Sequence, residues 1–177
     1  RLWIGTPDGI YYKKYDAQKY IKFDKNIILN QARVFVIAPK NDTSIWIGTN
    51  KGLYIIKNDS IRRITEKNRL SDDIVTAITH DKNGTWVGTR NGLNYICKDS
   101  IKTFSIKNGL ISNYIRSIAI SSRNEVWLGT FDGISIIKTN KIENITQEDG
   151  LVSNAILELF IDKNNNREVE SIASLKI

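Results

Sequence analysis

The chain has 177 residues, 41% of them apolar and 25% charged, the balance of a soluble globular domain with a core to bury. Its 26 basic and 19 acidic residues leave a formal charge of +7, but the cations are dispersed among acids along the whole length, so no nucleic-acid or membrane contact is expected. No apolar run nears the roughly 18 residues of a membrane span; the lone Cys97 excludes an internal disulfide, and the lone His80 excludes a zinc site needing two histidines.

Taken in order, the chain repeats itself. It opens on "RLWIGTPDGIYY" from Arg1, two strands around a turn, then a short strand "YIKF" at 20–23. After the loop "DKNIILNQ" come "VFVIA" at 34–38, "SIWIGTNKGLYII" from Ser44 and "SIRRIT" at 60–65. The next unit runs "VTAIT" at 75–79, "GTWVGTRNGLNYI" from Gly84 and "IKTFSI" at 101–106. Another follows with "IRSIAI" at 115–120, "EVWLGTFDGISII" at 125–137 and "KIENIT" at 141–146, before "ILELFI" at 156–161. The tryptophans Trp3, Trp46, Trp86 and Trp127 lie 43, 40 and 41 residues apart. Short strands separated by Gly, Asn, Asp and Ser, with this period and no sustained helical pattern, predict an all-β fold. The expected architecture is a β-propeller of about four four-stranded antiparallel blades over residues 1–166.

Within each blade the strands are named A to D from the inside out. The chain opens on a B strand, an offset that lets the first strands of a propeller complete the last blade. An incomplete arc with open sheet edges is the other expectation. After "DKNNN" (162–166) the next W-x-G-T is missing, and "REVESIASLKI" (167–177) reads as a degenerate terminal strand or a tail outside the pattern. No signal peptide precedes Arg1, which already stands inside a repeat, so the sequence reads as a segment of a longer protein.

The repeated W-x-G-T-x-x-G has a structural account. Trp3, Trp46, Trp86 and Trp127 are expected to pack as apolar plates against the neighbouring blade. Gly5, Gly48, Gly88 and Gly129 are expected to allow close backbone approach. The threonine hydroxyl suits a bond within the B–C turn, and Gly9, Gly52, Gly92 and Gly133 suit a positive φ there. "THDKNGTW" (79–86) is similar to the Asp-box turn of sialidases, a folding device away from catalysis.

With "NGLISNYI" (108–115) and "EDGLVSNAI" (148–156) following the tryptophan segments, the unit resembles the two-component regulator propeller repeat. "NRLSDDIV" (68–75) matches in part, and "NIILNQARV" (26–34) has lost the Gly and Ser. The resemblance implies a sensor: a periplasmic or otherwise extracytoplasmic part of a larger membrane receptor of the hybrid histidine kinase type, with oligosaccharides as the ligand class. It also implies further propeller blades or a second chain as partners, since four repeats are too few for a seven-bladed ring.

Propeller ligands usually sit over the channel at the end carrying the D–A and B–C loops. The B–C turns hold Pro7-Asp8, Asn50-Lys51, Arg90-Asn91 and Phe131-Asp132, and the head of strand A holds Arg33, Ile74, Tyr114 and Ala155. Arg116 stands where other blades carry Val36, Thr76–Ala77 and Leu157–Glu158 or their near neighbours. The expected ligand patch is therefore Arg33, Arg90, Tyr114, Arg116 and Phe131, a set of guanidinium forks and aromatic faces that suits a sugar acid or a sulfated glycan. No catalytic residues, cofactor or metal are expected. Asp8, Asp132 and Asp149 lie in end loops that could bring them together, yet nothing marks them as a hydrolytic pair. The rival readings are a protein-interaction propeller without a signalling role and a polysaccharide-active propeller enzyme.

Overall fold

The computed structural model describes residues 1–25, 28–58 and 60–161, and the backbone of one strand at 170–173. The "DKNNN" turn and the rest of the 167–177 tail lie outside the described residues.

Blade one holds β1 (Leu2–Thr6), β2 (Gly9–Lys13) and β3 (Ile21–Lys22). Blade two holds β4 (Val34–Asn41), β5 (Ser44–Thr49), β6 (Gly52–Lys57) and β7 (Ser60–Ile64). Blade three holds β8 (Val75–His80), β9 (Thr85–Thr89), β10 (Gly92–Cys97) and β11 (Ser100–Phe104). Blade four holds β12 (Ser117–Ile120), β13 (Val126–Gly129), β14 (Ile134–Ile137) and β15 (Ile142–Ile145). β16 (Glu158–Ile161) pairs with β17 (Glu170–Ala173) to begin a fifth. All pairings of these strands are antiparallel meanders, so three blades are complete and a three-stranded and a two-stranded sheet flank them. The inner strands β4, β8, β12 and β16 touch in series, while the first and last sheets stay separate. The described strands thus form an arc, and the first strands do not complete the last blade.

The core is divided among seams between blades. One joins Ile10 and Phe23 of blade one to Ile47 and Tyr54 of blade two; the next joins Trp46 and Leu53 to Val75 and Val87. A third joins Trp86 and Leu93 to Ile115 and Leu128, and a fourth joins Trp127 and Ile134 to Ile156. A single blade buries little of its apolar face alone, so stability depends on stacking neighbours.

The first glycine of each motif is a socket in that seam. A Cβ on Gly5 would lie 2.4 Å from Val34 Cγ1, on Gly48 2.7 Å from Val75 Cγ1, and on Gly88 and Gly129 2.7 Å from the Cγ2 of Ile115 and Ile156. Each is a β-branched residue at the start of the next inner strand or two residues before it. The threonine expectation is also borne out: Thr89 Oγ1 donates to the Gly92 carbonyl (2.8 Å) and accepts from the Asn91 N–H (3.1 Å), as do Thr49 and Thr130 in their own turns.

Trp46, Trp86 and Trp127 are buried, but Trp3 is only half-buried, because an open cleft lies beside it. In front of Trp86, Asp81 closes the A–B turn. Its Oδ1 accepts the N–H groups of Asn83 (2.8 Å) and Gly84 (2.6 Å), and its Oδ2 accepts the Trp86 Nε1–H (2.9 Å). Burial pulls the Asp81 pKa up, but these donors and the Tyr95 hydroxyl outweigh it and hold the pKa below the ordinary value. The matching turn of blade four is one residue longer and carries Ser121 where Asp81 stands, and Trp127 Nε1 has no partner.

His80 ties blade three to blade two. Its Nε2–H donates to the Ala38 carbonyl (3.4 Å), its Nδ1 accepts from the Thr85 hydroxyl (2.9 Å), and Thr85 in turn accepts from Lys40 Nζ (3.3 Å). Burial, with the nearby Lys40 charge assisting, pushes the imidazole pKa below its ordinary value. The folded state therefore binds fewer protons than the unfolded one in that window. The resulting stability is present above about pH 6.5 and is lost as the pH falls through the lower folded value. Urea midpoints of the wild type should fall between about pH 7 and about pH 5, and His80→Gln should flatten that fall; parallel curves would remove His80 as the cause.

Candidate functional site

The inner strands begin with a local irregularity. Between Val34 and Val36, and between Val75 and Ala77, the register against the neighbouring strand slips by one residue. Phe35 and Thr76 are the extra residues, and bulges of this kind re-aim a side chain. The residue after each socket-filling Val or Ile is then Phe35, Thr76, Arg116 or Leu157, which corrects the sequence alignment of Arg116 with Val36. All four line a groove of about 240 Å³ along the inner strands. Arg116 is half-buried there; its backbone N–H donates to the Gly129 carbonyl (2.9 Å), and its Nε is buried without a partner.

Four of the five expected ligand residues come together, and Arg116 joins them to this groove. The Arg116 guanidinium lies 4.4 Å from the centre of the Phe131 ring. Phe131 meets Tyr114 edge-on at 5.5 Å, and the Arg90 guanidinium lies 5.7 Å from the Tyr114 ring. The result is a ladder of two adjoining rings with a cation at each end, across blades three and four. Arg90 and Phe131 are exposed, and Tyr114 and Arg116 are half-buried. Neither arginine has a carboxylate within ion-pair distance among the described residues. A cation over a ring is attracted by about 0.5–2 kcal/mol, so the rungs hold one another in place. Arg33 is not part of the ladder. It stacks at 5.5 Å over Phe35 on blade two, and its N–H donates to Asn50 Oδ1 (2.8 Å).

The carboxylates at this end are structural or solvated. Asp149 accepts from the Thr146 N–H (3.0 Å) and hydroxyl (3.1 Å) in a capping box; Asp8 and Asp132 are exposed. Glu158 is the one carboxylate lining the groove. A cleft of about 880 Å³ opens at the opposite end, between Trp3 and the Asn41–Ser44 turn. In blade three the comparable space before the tryptophan is filled by the Asp81 turn. No group of three or more metal-binding side chains occurs among the described residues.

The model of the two component regulator propeller matches residues 109–132, the stretch that carries Tyr114, Arg116, Gly129 and Phe131. Over those residues the chain matches the two component regulator propeller repeat. Among solved structures, it is similar to the extracellular domain of the hybrid two component system BT3049 from B. thetaiotaomicron. The identity is 26%, the TM-score 0.80, and the match covers 92% of this chain and 24% of that one. Two structures of the extracellular domain of BT4673 from the same organism, described once as a one component and once as a hybrid two component system, match at 22% identity. Their TM-scores are 0.74 and 0.75, with 91% of this chain covered and 24% and 23% of theirs; they speak for the fold. The chain spans about a quarter of the length of these structures. Among curated proteins none matches. No helix among the described residues is long and apolar enough to cross a membrane.

Proposed function

We propose that this regulator-propeller segment is part of the extracytoplasmic, periplasmic sensor of a two-component or histidine kinase receptor, and that it recognises an oligosaccharide across the ladder of Arg90, Tyr114, Phe131 and Arg116. The ladder itself carries the reading: ring faces suit the C–H face of a sugar, and unpaired guanidinium forks suit its carboxylate or sulfate groups. The likeness to extracellular domains of two component systems supports the sensor part. The segment binds and does not catalyse; hydrolysis of a glycosidic bond uses two carboxylates, and the groove has Glu158 alone. Because the ladder bridges two blades, a bound ligand changes how receptor chains pair only by favouring one arrangement over the other.

Calorimetric titration with a panel of neutral and uronic oligosaccharides tests this. Tyr114→Ala and Arg90→Ala should each weaken binding by about tenfold, the loss of one stacked or charge-assisted contact. Unchanged affinities in both variants reject the ladder as the site.

A further inference from the structure

Sharing no residue with the ladder, a crevice of about 290 Å³ lies along the outer strands of blades two and three. Arg62, Lys67, Arg69 and Lys98 line it, against one carboxylate, Asp99. Its apolar lining is Ile64, Ile96 and Ile101. All four cations are exposed, and none has an ion-pair partner among the described residues. A basic excess spread over a surface is ordinary; four cations around one apolar crevice, opposed by a single acid, are a local concentration.

The backbone supplies the second observation. Arg69 ends a one-turn 3-10 helix with φ 73, in the left-handed region. The same position in the next two repeats is Gly109 and Gly150, with φ 102 and 104. Lys98 is also left-handed, with φ 53, in the turn between β10 and β11. Glycine adopts this conformation without strain, and a side chain held there costs backbone energy. Blade two thus carries a strained arginine where its neighbours carry an unstrained glycine, and the side chain reaches the crevice. Strain retained at such positions clusters at binding sites.

We infer that this crevice binds a compact polyanion, a small scaffold bearing sulfate, phosphate or carboxylate groups. The two guanidinium forks and two ammonium groups take its charges, and the isoleucines take its apolar face. The volume is at the lower end for ligand pockets, about 300 Å³, which favours one or two rings over a long chain. The site is separate from the ladder and does not depend on it.

The test uses the 177-residue chain with three probes: pyrophosphate, tricarballylate and a disulfated disaccharide, titrated at low and high salt. At least one should bind saturably and more weakly at high salt, and their ranking separates phosphate, carboxylate and sulfate as the recognised group. Arg69→Gly should weaken that binding about tenfold while raising Tm, because it removes a charge-assisted contact and relieves the backbone. The charge-matched Lys14→Ala on blade one should change affinity by less than about twofold, since a screened distant charge contributes little. Phe131→Ala should leave it unchanged. The proposal fails if no probe binds saturably, if Arg69→Gly and Lys14→Ala have equal effects, or if Arg69→Gly lowers Tm.

Discussion

Replacing Trp86 by alanine is expected to destabilise the protein by about 3–5 kcal/mol, and the same change at Trp3 by less than about 2 kcal/mol. The residues hold the same place in the same motif, so propensity and composition predict equal costs. Their surroundings differ. Trp86 is 9% exposed, stacks on Tyr95 at 4.4 Å and on Phe104 at 5.7 Å, and gives its Nε1–H to Asp81. Removing it empties the seam between blades three and four and leaves the Asp81 carboxylate one donor short. Trp3 packs on Tyr12 and Phe23, but the cleft before it is open to water, and less area returns to solvent when it is lost. Urea midpoints of the two variants decide the matter. Equal losses would mean that the tryptophan acts within its own blade and not across the seam.

Gly88→Ala is expected to cost about 1–3 kcal/mol, although alanine is the smallest possible addition. The new methyl would meet Ile115 Cγ2 at 2.7 Å and Cβ at 2.9 Å, both on a stiff β-branched side chain with no exposed surface into which to move. Ile115→Ala alone should cost about 2–5 kcal/mol through the cavity it leaves. The two together should cost at least about 1 kcal/mol less than their sum, because the added methyl enters space the isoleucine vacates. Additive losses would show that socket and plug do not meet in solution. Gly109→Ala offers a contrast: its Cβ finds only Ile142, at 3.8 Å, and the whole cost there is the positive φ.

The ladder was legible in the sequence for a physical reason. Repeats align position by position, so a residue that breaks the pattern at the loop end, such as Phe131 where other turns carry Pro7, Asn50 or Arg90, stands out before any coordinates exist. Arg33 stands apart from the ladder, stacked on Phe35, and one-dimensional alignment does not show this, because it says which loop a residue is in but not which neighbour its side chain stacks on. The basic crevice left a faint mark: an arginine in "NRLS" where "NGLIS" and "DGLVS" carry glycine. That departure reads as repeat decay until the left-handed φ of Arg69 and the converging Arg62 and Lys98 are seen together.

By itself, the sequence determined the strand order within a blade, the B–C turn chemistry and the burial of three of the four tryptophans. These follow from local rules: alternation, glycine φ and hydroxyl bonds within a turn, all within a few residues along the chain. Tertiary structure alone decided that each motif glycine receives the Val or Ile of the next blade, and that Trp127 lacks the acceptor Trp86 has. It also decided that four rim residues stack while the fifth does not. Those outcomes depend on how one blade twists against the next, and that geometry comes from contacts between residues some 30 to 40 positions apart, beyond the reach of any pattern within one repeat.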